Sequence, residues 1–450
     1  MKRFARPEAV AFLSLESSER PMHFSALQLF RPPRGSGPDF ARNTYEAMRA
    51  HRDVAPAYAG HPATSRRGTS RLRWTYDDDV DIDYHLRYTT VRPPGGMREL
   101  LALGDELHAP PLDRRKPLWE CHVIDGLNDG RFAILYKVHH ALMDGMSWAN
   151  QMHAALSTDP DDGRIRVGWT RQLECHQPVA QAPARRVGRA GPAKFVADLR
   201  RSSSLMMAAM REPQLIPAFR ARRTILNVGS SATVRRAWQS WPIKRIQDVA
   251  NAAAVTVNDV GLAMSAGALR ELLAERDALP DVPLVAMVPV DLRNEQDVDA
   301  NNILGIALCN LATNVDDPDE RLRVIHASMQ YNKQIIRELP RQLAIHLGGL
   351  ICAPISGSSG LRAKIPPMFN VYISSMRGKT QPLYRNGARL EAAYGWAPML
   401  PEQALMFGTH TNAEELEFGI TACSRVVPDP ARLLGQLETS LKDLERAVGL

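Results

Sequence analysis

Short apolar runs alternate with turn residues through the first 160 positions. Ser25 to Phe30 precedes Pro32-Pro33, and Cys121 to Ile124 precedes Asp125-Gly126. Phe132 to Tyr136 is apolar throughout and reads as a buried strand. The spacing predicts a hairpin in which Cys121–Ile124 pairs with Arg131–Val138 across Gly126 to Gly130. Ser147 to Leu156 follows with helical spacing and stops at Thr158-Asp159-Pro160. Later, Ile243 to Ala253 predicts a helix, and Val255 to Val260 leads into another. Asn258 and Asp259 are N-cap candidates for that second helix. It is rich in small residues (Gly261, Ala263, Ser265, Ala266, Gly267, Ala268), so its neighbours can pack close. Leu284–Val290, Ile303–Leu311, Asn370–Ser374 and Phe418–Cys423 read as strands, and Pro430–Val448 as a closing amphipathic helix.

The pattern loosens from Asp161 to about Val234, where Pro178, Pro183 and Pro192 interrupt repeated arginines. Within it, Ala193–Arg211 has helical spacing, with Phe195, Leu199, Leu205, Met206 and Ala209 opposite the arginines. The expected organisation is a first α/β domain over 1–160, a basic connector over 161–234 and a second α/β domain over 235–450. No repeat of fixed period occurs, although two halves around a connector are compatible with a diverged duplication.

Length and composition agree with this division. The chain has 450 residues, 44% hydrophobic and 23% charged, enough for two globular domains with substantial cores. The net charge of +7 is local. Arg164 to Arg236 holds 15 Lys/Arg against 3 Asp/Glu, a net of +12, and the remainder is 41 against 46, or −5. No aromatic interleaving or helix-turn-helix signal accompanies the basic stretch, which argues against nucleic acid. An anionic membrane surface suits it better, a solvated linker being the alternative. Five scattered cysteines (Cys121, Cys175, Cys309, Cys352, Cys423) make no disulfide framework and no metal-ligand spacing. A reducing compartment and no metal are expected. The apolar stretch Ala9–Leu13 is too short for a signal peptide. The uncharged window Gln342–Leu361 contains His346, Pro354 and several Gly and Ser, a poor membrane span, so a soluble or peripheral protein is expected.

The run Lys137-Val138-His139-His140-Ala141-Leu142-Met143-Asp144-Gly145 carries the candidate chemistry. Its histidines fall where a strand gives way to a turn. An imidazole held there can take the proton of an alcohol, a poor nucleophile until that proton leaves. Adjacent strand positions point to opposite faces, so only one of the two rings addresses a given substrate. Gly145 permits a sharp reversal. A core histidine pair followed by a turn is the plainer reading of the same residues.

The chain resembles the bacterial wax ester synthase/acyl-CoA:diacylglycerol acyltransferases nearly end to end. The likeness rests on Glu16 with Pro21-Met22-His23, Pro117-Leu118-Trp119-Glu120, the HHxxxDG run, Thr256-Val257-Asn258-Asp259-Val260, and Val288-Pro289-Val290-Asp291-Leu292-Arg293. Pro382-Leu383-Tyr384 with Gly387-Ala388, and Phe418-Gly419, complete it. HHxxxDG alone also fits peptide-synthetase condensation domains. The resemblance implies an α/β fold of two chloramphenicol-acetyltransferase-like domains with the active site in the channel between them. It implies acyl transfer from acyl-CoA, a co-substrate, to diacylglycerol or a long-chain alcohol, with no cofactor. It also implies a cytoplasmic protein peripheral to the inner membrane or lipid inclusions. His140 becomes the general base and His139 a positioning residue. Asp144 becomes structural, paired in a buried salt bridge with Arg293. Asn258 is either an oxyanion donor or a helix cap, and Ser374 and Ser375 are further donor or channel candidates. Trp119 reads as core packing.

Two departures stand out. The family usually has Ser-Asn-Val-Pro-Gly-Pro where this chain has Ser374-Ser375-Met376-Arg377-Gly378-Lys379, and Tyr-Pro where it has Tyr394-Gly395-Trp396. They bear on the acceptor and leave the base untouched. Rival readings are a condensation-type enzyme using a carrier-bound acyl donor, and a non-catalytic lipid-surface protein.

Overall fold

The structure is a computed structural model and describes residues 3–4, 7–17, 21–63, 73–174, 220–228, 234–291, 304–339, 365–376, 378–399 and 402–450. Two compact units form. The first is Met1–Pro183 with Glu295–Asn302 and Gly378–Pro398, and the second is Ala184–Asn294 with Ile303–Arg377 and Met399–Leu450.

In chain order the first unit begins β1 (Arg3–Phe4), α1 (Pro7–Leu15), β2 (His23–Arg31), α2 (Phe40–Arg49), β3 (Gly60–Pro62), β4 (Arg73–Tyr76), α3 (Ile82–His85) and β5 (Leu86–Thr90). It continues with α4 (Met97–His108), β6 (Trp119–Asp125), β7 (Phe132–His139), α5 (Gly145–Ala154) and α6 (Arg171–Glu174). The second unit has β8 (Val234–Pro242), α7 (Ile243–Ala252), α8 (Val257–Ala274), β9 (Val285–Asp291), β10 (Leu304–Asn310), α9 (Pro318–Glu338) and β11 (Val371–Met376). β12 (Tyr384–Arg385) and β13 (Ala388–Trp396) return to the first unit, and β14 (Leu405–Asn412), β15 (Glu415–Cys423) and α10 (Ala431–Ala447) close the second.

The first unit's main sheet has the order β12-β13-β2-β7-β6-β5. The predicted hairpin is present, with β6 antiparallel to β7 from Trp119↔Val138 to Ile124↔Ala133. Every residue of β7 is buried because both faces of the sheet are covered. On one face, Phe24, Phe30, Ile134, Tyr136 and Val138 pack with Ala41 and Met48 of α2 and Trp148 and Met152 of α5. On the other, α4 approaches so closely that a Cβ at Gly104 would stand 2.8 Å from Trp396. Trp396 is fully buried, and its indole N–H donates to Asp105 Oδ1 at 2.7 Å. Of the Tyr394-Gly395-Trp396 departure, Trp396 therefore fills the core of the first unit, while Gly395 is exposed.

β13 pairs antiparallel with β2, from Arg389↔Arg31 to Trp396↔Ser25. The linear division expected at about residues 160 and 235 has no place for this return. Strand propensity marks a segment as extended without naming its partner.

The second sheet has the order β10-β9-β11-β14-β15-β8. Helices α7 to α10 supply Ile246, Leu269, Ile325 and Leu437 to its core. The small residues of α8 do what their size suggested: a Cβ at Gly267 would meet Ser440 Oγ of α10 at 2.2 Å. The N-cap of α8 is Thr256, a correction to the expectation of Asn258 or Asp259. Thr256 Oγ1 accepts from Asp259 N–H, and Asp259 Oδ2 accepts in return from Thr256 N–H, a reciprocal capping box. Among the described residues no single helix is long and apolar enough to cross a membrane. The Ala193–Arg211 helix and the Gln342–Leu361 window lie outside the described residues. At the described end of the basic connector, Arg222 pairs with Asp281, and Arg223 reaches Glu402 at 3.5 Å and donates to the Ile365 carbonyl at 3.0 Å.

Candidate active site

β7 ends on His139, and His140 opens the turn into α5. Backbone bonds hold this junction. His139 N–H donates to Leu118 O at 3.0 Å, His140 N–H to Met22 O at 3.0 Å, and Leu142 N–H to His139 O at 2.8 Å. The alternation of the strand sends the two rings to opposite faces, as expected.

His140 stands between two aromatic rings, with centroids 4.9 Å from both Phe12 of α1 and Phe24 of β2. The Phe12 ring stacks nearly parallel, at 16°. Burial pushes the His140 imidazole down to about 4, helped by the nearby His139 and opposed by Asp144. The ring is thus neutral at pH 7. It is also partly exposed, and neither nitrogen has a hydrogen-bond partner among the described residues.

The other buried histidines are committed. His139 is fully buried and its Nδ1 accepts from Ala141 N–H at 2.9 Å. The ring proton must then sit on Nε2, which faces Glu16 Oε1 at 3.2 Å, off the line of a well-formed hydrogen bond. His23, the strand partner of His139, lies 2.6 Å from the His108 carbonyl through Nε2. Burial, with Lys137 nearby, pushes His23 down to about 3. Lys137 itself is buried, donates to the Leu107 and Pro110 carbonyls, and is brought down to about 8, mainly by burial.

Asp144 is buried at 3% exposure and caps α5. Its Oδ1 accepts from Ser147 N–H at 2.9 Å and its Oδ2 from Ser147 Oγ at 2.6 Å. A structural role is what was expected of it, and it makes no hydrogen bond to His140. Arg293 lies outside the described residues, but the pairing has a test. The cap bond alone makes Asp144→Ala cost about 1–2 kcal/mol and Asp144→Asn little, since asparagine caps as well. A stranded buried cation makes both cost about 3–5 kcal/mol. The expected outcome in urea titration is the larger loss in both variants, and a near-neutral Asp144→Asn would remove the pair.

Gly145 does not provide the sharp reversal expected of it. It is the first residue of α5, outside the left-handed region, and the space a Cβ would enter is open. Trp119 is core packing as expected, 1% exposed, stacked on His85 at 4.5 Å and donating to Tyr58 O at 2.8 Å.

His139, His140, Asp144 and Gly145 are thus gathered on one turn of the first unit. Asn258, Ser374 and Ser375 belong to the second. Asn258 is the second residue of α8, partly exposed, and its side chain makes no hydrogen bond among the described residues. Since Thr256 provides the cap, the cap reading of Asn258 falls, and its amide has no partner among the described residues. Ser374 and Ser375 are neighbours on β11, and Ser375 Oγ accepts from Thr409 Oγ1 at 3.0 Å. Phe12, Phe24 and Arg114 were absent from the sequence reading of the site. Glu16 was present only as part of a motif. Only their convergence in space marks them.

The fold and this turn define an HHxxxDG acyltransferase. Residues 7–261 match the wax ester synthase/diacylglycerol acyltransferase catalytic domain, and residues 300–445 match the C-terminal domain of the same proteins. The chain belongs to the wax ester synthase/diacylglycerol acyltransferase family. A "probable diacylglycerol O-acyltransferase" of Mycobacterium tuberculosis is 46% identical over 455 residues, covering 99% of each chain. The O-acyltransferase WSD of Acinetobacter baylyi is 32% identical over 97% of this chain and 96% of its own. The wax ester synthase/diacylglycerol acyltransferase of Marinobacter aquaeolei VT8 superposes with a TM-score of 0.78 at 32% identity, covering 100% of both chains. The first condensation domain of the calcium-dependent antibiotic synthetase, at 16% identity and a TM-score of 0.62 over 100% of this chain and 97% of that one, shares the fold.

Proposed function

We propose that this enzyme moves a long-chain acyl group from acyl-CoA to the hydroxyl of diacylglycerol or a fatty alcohol, with His140 as general base. One observation carries the reading: His140 is a neutral, partly exposed imidazole whose ring nitrogens bond nothing among the described residues, on a turn within the matched catalytic domain. The acceptor hydroxyl gives its proton to His140 as its oxygen bonds to the thioester carbonyl carbon. The carbonyl becomes an oxyanion, whose charge an oriented hydrogen-bond donor must stabilise. As the oxyanion collapses, the carbon–sulfur bond breaks and the departing thiolate takes the proton back from the imidazolium. The products are an ester and free coenzyme A.

Diacylglycerol and long alcohols reside at lipid surfaces, and the +12 charge between Arg164 and Arg236 supports a peripheral contact with anionic lipid. Purified protein given palmitoyl-CoA with hexadecanol or with diacylglycerol should release one free thiol per ester formed. It should also sediment with phosphatidylglycerol vesicles less at high salt than at low. Absence of thiol release with both acceptors defeats the reading, and faster transfer from a carrier-protein thioester would favour the condensation-type alternative.

A further inference from the structure

We propose that Glu16 is the positioning residue of this acyltransferase, setting the orientation of His140 from both sides of its turn. The inference rests on His140 being the base. Glu16 directly follows α1, and its carboxylate divides its two oxygens between two tasks. Oε2 accepts from Arg114, from Nε at 2.9 Å and from Nη2 at 2.8 Å. The same guanidinium donates to the Leu13 carbonyl at 2.6 Å, so the C-terminal end of α1 and the carboxylate are held together.

Oε1 faces the reacting turn. It accepts from Met22 N–H at 3.1 Å and lies 3.2 Å from His139 Nε2. Met22 is the residue whose carbonyl receives the His140 N–H, at 3.0 Å. His139 is the residue whose Nδ1 receives the Ala141 N–H, at 2.9 Å. The peptide units before and after His140 are therefore both one step from a single carboxylate oxygen. Glu16 also selects the tautomer. A carboxylate opposite Nε2 keeps the proton there and leaves Nδ1 free to accept from Ala141. With the carboxylate gone, the proton can move to Nδ1, where it opposes the Ala141 N–H and loosens the turn. The side chain of Glu16 is 5% exposed, so water is a poor replacement. Arrangement around it keeps it ionised: burial alone would raise its pKa, but His139, Arg114 and the Met22 N–H outweigh that and hold it at about 2. From the same helix Phe12 lies against the His140 ring. The N-terminal segment thus supplies both the wall of the base and its alignment.

The test measures kcat and KM per folded molecule, with folded fraction checked by circular dichroism, for Glu16→Ala, Glu16→Gln, Arg114→Met, His139→Ala and the double variant Glu16→Ala/His139→Ala. His140→Ala is the reference. A misplacement on the scale of 1 Å costs about 100-fold. Glu16→Ala is expected to lower kcat by about 10- to 100-fold with KM for acyl-CoA within about twofold. Glu16→Gln, which keeps a carbonyl oxygen of the same reach, restores part of the loss. Arg114→Met, at a side chain 44% exposed, lowers kcat in the same direction without opening a hole in the core. The double variant falls by less than the product of the two single losses, because one of the two routes from Glu16 to the turn runs through His139. Full kcat in Glu16→Ala and Arg114→Met while His140→Ala is inactive overturns the positioning role alone. An active His140→Ala overturns the base assignment and the proposal with it.

Discussion

His140→Ala is expected to lower kcat by about 10²–10⁴-fold, the usual worth of a positioned general base, while the protein stays folded. The ring is partly exposed and its nitrogens bond nothing among the described residues, so its removal strands no buried partner. His139→Ala is a different perturbation. It removes a fully buried ring whose Nδ1 accepts from Ala141 and whose Nε2 faces Glu16. Its loss should be smaller in kcat than that of His140→Ala and larger in melting temperature. The pH profile supplies an independent check. A base must be unprotonated, and burial holds His140 down to about 4. For the free enzyme, kcat/KM should therefore stay level as pH falls through 6.5 and decline only near pH 4. An acid limb at 6.5, or equal residual rates in the two histidine variants, contradicts the assignment.

Stability should fall steeply between neutral pH and pH 5, well before the carboxylates titrate. Burial pushes His23 down to about 3, and His85 and His140 to about 4, against an ordinary value of 6.5. Between the folded and unfolded values the unfolded chain binds the extra protons. Stability is thus greatest above about 6.5 and is lost as pH drops toward the folded values. At 1.36 kcal/mol per pH unit, a fully buried histidine costs about 2 kcal/mol at pH 5. His23 and His85, both 0% exposed, would together remove about 4 kcal/mol, and partly exposed His140 less. For a domain of ordinary stability that is a large share. Glu16 works in a lower window with the opposite origin. Its contribution is present above the unfolded carboxylate value and disappears as pH falls toward 2. Thermal unfolding measured from pH 7 to pH 5 checks this, with His23→Gln expected to flatten the slope. An unchanged melting temperature across that range would show that these rings are hydrated.

Much of the first unit's centre was legible because its signals are local. The β6–β7 hairpin follows from two apolar runs around Gly126 and Gly130, and the left-handed φ of both glycines, +85° and +75°, is why glycine stands there. Helical spacing marks the helix after Asp144 only from Ser147, whereas the Asp144 cap starts it at Gly145. Helix α9 escaped prediction even though Asp317, Pro318, Asp319 and Glu320 form a clear opening signal. The Asn258 cap reading failed for a related reason. Several capping residues stood side by side, and only the Thr256–Asp259 reciprocal bonds chose among them.

The sequence by itself determined the α/β class, the strand that carries the histidines, the turn that follows it and the family. All of these depend on residues close together in the chain or on motifs in fixed order. Only the tertiary structure decided that β13 completes the first sheet beside β2, that Phe12 and Phe24 enclose His140, and that Glu16 and Arg114 stand behind His139. Those contacts join residues far apart in sequence. Periodicity marks which face of an element is buried but carries no label for what buries it, and the partner is settled when the sheet order and the packing of its faces close together.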